Sequence, residues 1–288
     1  MADHIALVFS LPVRANAGAS SPYIVGSNAL SSGGDMRKSR YGHRRLPIQF
    51  RAVSLSARRR GLTFGNPQLD DLFTGFLPGQ LAFLHGSRCC LTLSEQLCVK
   101  AQQPIRLGGL GSDAIFLDGG NSFDLYLVTA FCRELGIDRC KVLRRIHVSR
   151  AFTCHQLTGF MEGKLGPALE DTDARVIVVS DFPALYCESD ADEEQVGVEF
   201  CRALNALLTV ARIRDVVTVV TSLSDGRSSR RMWLEDLVKQ RSSMVAKVRE
   251  SGSITRVDLE KHPFTVSTMI RQAAPCILER YLAVGVDG

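Results

Sequence analysis

Residues 77–102, LPGQLAFLHGSRCCLTLSEQLCVKAQ, decide how this chain is read. An apolar run, QLAFLHG, passes through Gly86 into a segment with helical spacing. Strand, turn and helix in that order are where a nucleotide-binding protein keeps its phosphate loop. Such a loop, Gly-x-x-x-x-Gly-Lys-Ser/Thr, uses glycines so that backbone N–H groups can turn toward the phosphates. Its lysine neutralises charge and its hydroxyl holds Mg²⁺. The corresponding run here is GSRCCLTL: Gly86 is present, Cys89 and Cys90 stand where glycines are wanted, and the next lysine is Lys100. Gly86, Ser87, Arg88 and Thr92 are thus the candidate remnants of a degenerate nucleotide site. Thr92-Leu93-Ser94-Glu95 also fits a capping box, with Thr92 as N-cap and Glu95 reaching back to it. That cap would take the amides to which a phosphate binds.

Outward from this stretch, AIFLD (114–118), RVIVVSD (175–181) and VVTVVTS (216–222) are continuously apolar. Runs without polar alternation are expected of parallel strands covered on both faces. Amphipathic helices fall between them. Val196, Phe200, Ala203, Leu204, Leu207, Leu208 and Ala211 recur at helical spacing. A helix over 122–136 is predicted to start from Asn121 or Ser122 and stop before Gly136. Near the end, MVAKVRESGSITRVDLEKHP (244–263) reads as two β-segments joined at Ser251-Gly252, an antiparallel extension of the sheet. The predicted fold is α/β: a mostly parallel twisted sheet with helices on both faces and an antiparallel C-terminal extension. Its domain is assigned to 61–288, with 1–60 read as a disordered N-terminal region.

In order and spacing, FGNPQLDDLFTGFLPGQLAFLHG, AIFLDGGNSFD, VLRRIHVSRAFTCHQL and RVIVVSDFPAL resemble the RecA/RadA recombinase superfamily. The likeness is to archaeal RadA paralogues and the neighbouring KaiC-like ATPases, and covers about residues 61–262. The resemblance implies a RecA-like fold and further positions for ATP chemistry. A glutamate that activates water is expected after the second strand, where this chain has Gly119 and Gly120 behind Asp118. A Thr-Asn-Gln-like triplet that senses the γ-phosphate is expected where Thr221, Ser222 and Leu223 stand. Asp181 matches the aspartate that positions Mg²⁺. Lysine, glutamate and sensor are missing together, so the resemblance points to a pseudo-ATPase with no catalytic residues and no cofactor.

Charge is distributed unevenly. Residues 36–60 hold nine Lys/Arg and no Asp or Glu, and 1–35 hold one Arg and two Asp; out of a total of +5, the remaining 228 residues therefore carry three net negative charges. The arm is the candidate DNA contact, through Arg37, Lys38, Arg40, Arg44, Arg45, Arg58, Arg59 and Arg60. Binding would be non-specific, through phosphates. A basic tail in solvent, or one held to acidic lipid, is the alternative for the arm. Arg227, Arg230 and Arg231 in SDGRSSRRMW (224–233) fall where a second DNA loop is expected, and Trp233 is either a base-stacking residue or a core anchor. CESDADEEQ (187–195) is acidic enough to repel phosphate: a solvated loop, or a docking surface for a basic partner.

Other classes are set aside. No apolar run reaches the roughly 18 residues of a membrane span, and IALVFSLPV lacks the basic leader of a signal peptide. Nine cysteines without Cys-x-x-Cys spacing read as reduced thiols of a cytoplasmic protein, and six histidines without zinc-ligand spacing give no metal site. Thr153 and Gln156 give RAFTCHQL the form of a helix start, with Phe152 facing Leu157. The expected function is that of a non-catalytic RecA-fold accessory in DNA repair and recombination, partnering a competent recombinase or itself. Two alternatives stand: a divergent ATPase using Mg–ATP with Arg88, Thr92 and Asp181, completed by a neighbouring subunit, and a KaiC-like signalling scaffold.

Overall fold

A computed structural model describes residues 61–65, 70, 75–224, 228–251, 254–261 and 269–273. The expected N-terminal region and basic arm, 1–60, lie outside the described residues. The strands are β1 (Leu81–Gly86), β2 (Asp113–Asp118), β3 (Ile146–Arg150), β4 (Ala174–Ser180), β5 (Val217–Leu223), β6 (Met244–Ser251), β7 (Ile254–Lys261) and β8 (Met269–Ala273). The apolar runs form strands because side chains of both parities find a core. In β1, Ala82 and Leu84 enter one cluster while Leu81 and Phe83 enter the other. In β2, Ala114 and Phe116 part from Ile115 and Leu117 in the same way, and in β4, Val176 and Val178 part from Ile177 and Val179. Each Val, Leu, Ile or Phe among them contributes about 1.5–3 kcal/mol by leaving water, and each alanine methyl less.

These strands make one eight-stranded sheet, in the order β3-β2-β4-β5-β1-β6-β7-β8. Pairings are parallel from β3 to β6 and antiparallel for β6–β7 and β7–β8. The RecA-like parallel sheet and its antiparallel extension are as expected. β3 and β8 go beyond the strands read from sequence; β3 is a half-polar edge strand.

Helices cover both faces. On one lie α1 (Cys89–Ala101), α2 (Leu125–Glu134) and α3 (Arg139–Leu143). On the other lie α4 (Cys154–Gly159), a π-helical turn (Phe160–Lys164), α5 (Leu165–Glu170), α6 (Ala184–Cys187), α7 (Glu193–Arg214) and α8 (Ser229–Arg241). The α7 stripe is buried as expected at Val196, Phe200, Ala203, Leu204, Leu207 and Ala211, with Leu208 half-buried. At α4, Thr153 Oγ1 accepts from the Gln156 amide (3.2 Å) and Gln156 Oε1 from the Phe152 amide (2.9 Å). The expected packing of Phe152 on Leu157 is not made: Leu157 is buried and Phe152 is 66% exposed. α2 is capped by Asp124, not by Asn121 or Ser122. The amides of Ser122 and Phe123 are drawn to the Asp118 carboxylate instead (2.8 and 3.2 Å), which delays the helix.

Among the described residues no helix is long and apolar enough to cross a membrane. Because β5 lies between β4 and β1, the carboxyl ends of these three strands converge. In open α/β sheets ligands bind at such strand ends.

Candidate functional site

Two residues, Ser87 and Arg88, separate β1 from α1. Gly86 has φ +127°, and a Cβ there would lie 2.2 Å from the Val248 carbonyl oxygen, so the position admits no side chain. The same carbonyl accepts the Ser87 amide at 2.8 Å. The Cys90 amide donates to the Ser87 carbonyl (3.0 Å), and those of Leu91 and Thr92 to the Arg88 carbonyl (3.0 and 3.4 Å). The amides of Ser87, Cys90, Leu91 and Thr92 are thus engaged within the chain. Arg88 is exposed, and Ser87 Oγ is buried without a partner among the described residues.

The capping box expected at Thr92 does not form. With so short a turn, α1 begins at Cys89, and Arg88 occupies the cap position with helical backbone angles and no side-chain cap. Thr92 lies inside the helix. Glu95 consequently points into the protein and is 1% exposed. Its Oε1 accepts from the Asp124 amide at 3.1 Å, while Oε2 is buried with no partner among the described residues. Burial pushes the Glu95 carboxyl up to about 8; the Asp124 hydrogen bond opposes this and the Asp124 and Asp118 charges reinforce it.

Asp181 closes β4 with a left-handed φ of +44°. Its amide donates to Thr221 Oγ1 (2.9 Å), and its Oδ1 accepts from the Leu223 amide (3.0 Å) and from the Arg231 guanidinium (2.7 Å). The Asp181 and Arg231 side chains are 8% and 13% exposed. At the place where an aspartate would position Mg²⁺, the chain supplies its own cation.

A polar chain continues from there. Arg231 also reaches Ser222 Oγ (3.3 Å), and Ser222 and Ser224 both donate to Glu235 Oε1 (2.7 and 2.8 Å). Glu235 is buried. Ser224 Oγ meets His85 Nδ1 (3.3 Å), whose Nε2 meets Glu260 (2.8 Å). Burial holds the His85 imidazole below its usual range, against the pull of Glu260. Thr221, Ser222 and Leu223, the sensor positions, are therefore all bound internally.

The position of the activating glutamate is closed by sterics. A Cβ on Gly120 would meet Asp181 Cβ at 2.8 Å, and one on Gly119 would meet the Ser180 carbonyl oxygen at 3.1 Å. Asp118 is buried and holds its own loop, besides pairing with Arg150 (3.0 Å). Engaged amides, a neutralised Asp181 and a blocked Gly120 do not fit Mg–ATP.

The candidate DNA contacts separate. Arg230 donates to the carbonyls of Ser189 (2.8 Å) and Ala191 (3.3 Å), tying down the acidic loop whose Asp192 caps α7. Arg231 belongs to the Asp181 pair. Both guanidinium groups are engaged inside the chain, whereas Arg227 and the arm cations lie outside the described residues. Trp233 is 39% exposed and rests on Gly197, where a Cβ would come within 2.5 Å of its ring, so it acts as an anchor between α8 and α7. Glu95, Glu235 and the Arg231–Asp181 pair are not evident from the sequence. A signal existed for one of them: Arg231 and Glu235 stand one helical turn apart on α8, facing one neighbourhood.

A family model described as Rad51 matches residues 59–283. The chain is similar to the DNA repair and recombination protein RadA of Metallosphaera sedula, 24% identical over 62% of this chain and 58% of that protein. It is similar to the RadA protein of Aeropyrum pernix, 24% identical over 56% of this chain and 52% of that protein. The DNA repair protein RAD51 homolog B of Zea mays is 25% identical over 62% of this chain and 55% of that protein. The chain thus spans between half and three-fifths of the length of these relatives.

Proposed function

We propose that this chain, which belongs to the Rad51 family, is a non-catalytic RecA-fold accessory protein in DNA repair and recombination. It holds DNA through its basic arm and partners a competent recombinase or a second copy of itself. The observation that carries the non-catalytic part is the Arg231–Asp181 ion pair, a fixed cation where the fold would otherwise hold Mg²⁺. The names of the relatives support the setting in repair and recombination. The cytoplasm is the proposed compartment, on the strength of the nine scattered thiols without Cys-x-x-Cys spacing.

Calorimetry with Mg–ATP tests the closed cleft. The expected result is no hydrolysis and a Kd weaker than about 1 mM, corresponding to less than roughly 4 kcal/mol. Micromolar binding abolished by Asp181→Ala would establish the ATPase alternative instead.

DNA binding is tested separately, by fluorescence anisotropy over a salt series. Full-length protein should bind with little sequence preference and with log affinity falling linearly in log salt. Five to eight engaged cations give a slope of about −4 to −7, at roughly −0.7 to −0.9 per phosphate. Deleting 1–60 should remove most of that affinity, leaving a body of net negative charge. Unchanged affinity and slope after truncation would rule out the arm as the contact. No binding at low salt would favour the signalling-scaffold alternative.

A further inference from the structure

Away from the closed cleft, one cluster brings three different metal-binding side chains to a single point. Cys154 and His155 open α4, and Glu199 reaches them from α7, 44 residues along the chain from His155. One donor atom from each, a thiol sulfur, a ring nitrogen and a carboxylate oxygen, lies within 4.8 Å of the others. We infer that Cys154, His155 and Glu199 form a binding site for a thiophilic divalent cation of the zinc class, clamping the start of α4 to α7.

The chemistry of the donor set selects the ion. A thiolate disfavours Mg²⁺ and Ca²⁺, while sulfur, imidazole and carboxylate together suit Zn²⁺ or Co²⁺. Thiolate and carboxylate balance the charge of the ion; binding releases the thiol proton, so affinity falls in acid. Tetrahedral ligands about 2.0–2.3 Å from the ion stand roughly 3.3–3.8 Å from one another. His155 Nδ1 and Glu199 Oε1 are 2.6 Å apart and would separate by about 1 Å to admit it. The His155 side chain, 75% exposed, is free to turn, whereas Cys154 is buried and fixed at the capped first turn. The exposed side leaves a fourth position to water, as in zinc sites with three protein ligands.

The Cys154 thiol is buried in the core cluster beneath α4 and lies within 4.8 Å of both donor atoms of the His155–Glu199 pair, which puts a soft ligand beside two harder ones. No zinc-ligand spacing is visible along the chain because the third donor comes from another helix.

The test is a Co²⁺ titration of the full-length, reduced protein. One equivalent should produce a thiolate-to-cobalt charge-transfer band with intense tetrahedral visible bands, and Zn²⁺ should displace both. His155→Ala and Glu199→Gln should each weaken Zn²⁺ binding at least about 100-fold, beyond the roughly 10–100-fold of an outer-shell partner. Cys201→Ser, on α7 but outside the cluster, should leave it unchanged. Absence of the band, or a band indifferent to both His155→Ala and Glu199→Gln, overturns the site; the second result would place the ion on other thiols.

Discussion

Replacing Arg231 by methionine should destabilise this protein by about 3–5 kcal/mol, the usual penalty for leaving one partner of a buried ion pair alone. Asp181 is 8% exposed in its side chain and already accepts the Leu223 amide on the oxygen that meets Arg231. It cannot turn to water without giving up the Leu223 amide and disturbing the end of β4. Asp181→Asn alone should destabilise too, because Arg231, 13% exposed in its side chain, then loses the Asp181 charge. The double variant should recover much of the loss, since removing a buried pair together is often close to neutral. Urea midpoints for the four proteins, at unchanged m-value, give the coupling energy directly. A coupling below about 1 kcal/mol is what a surface pair yields, and would contradict the buried latch.

Glu95→Gln should have the opposite sign and grow with pH. The folded protein holds the Glu95 proton up to about 8, against 4.5 for the ordinary carboxyl. Its favourable contribution is complete below pH 4.5 and is lost as pH rises toward 8, since there the unfolded chain ionises freely while the folded one resists. The steepest loss is about 1.4 kcal/mol per pH unit. Glutamine cannot ionise and keeps an acceptor for the Asp124 amide. Relative to the parent protein, the variant should gain on the order of 3 kcal/mol between pH 5 and pH 8. Melting curves at a series of pH values provide the measurement; parallel pH profiles for the two proteins would mean that Glu95 is not buried in solution.

The strands of this fold are legible because burial on both faces writes itself as unbroken apolar sequence, as in RVIVVSD. The edge strand β3 is not, because His147, Ser149 and Arg150 are half-buried and the pattern breaks. Local polar signals were trustworthy where both partners sit in one turn, as with Thr153 and Gln156. They misled at Thr92, whose Thr-x-x-Glu pattern is intact but overridden: the two-residue turn after β1 starts the helix four residues earlier and rotates Glu95 inward. Arg230 and Arg231 read as phosphate ligands because a run of arginines shows its charge and not its partners. Those partners stand 41 and 50 residues away, on a loop and a strand end that the sheet alone brings near.

The contact of Gly120 with Asp181 also bears on how such a protein can change by single substitutions. A glutamate introduced at 120 would drive its Cβ into that of Asp181. Freeing Asp181 first, by removing Arg231, strands a buried charge; a lysine returned to the turn after β1 meets amides that already have acceptors. The steps at 120 and 231 are therefore each uphill while their neighbours stay as they are. On a fitness landscape the surroundings of Asp181 form a basin with steep walls, because a side chain at 120 meets a clash and the loss of Arg231 strands a charge.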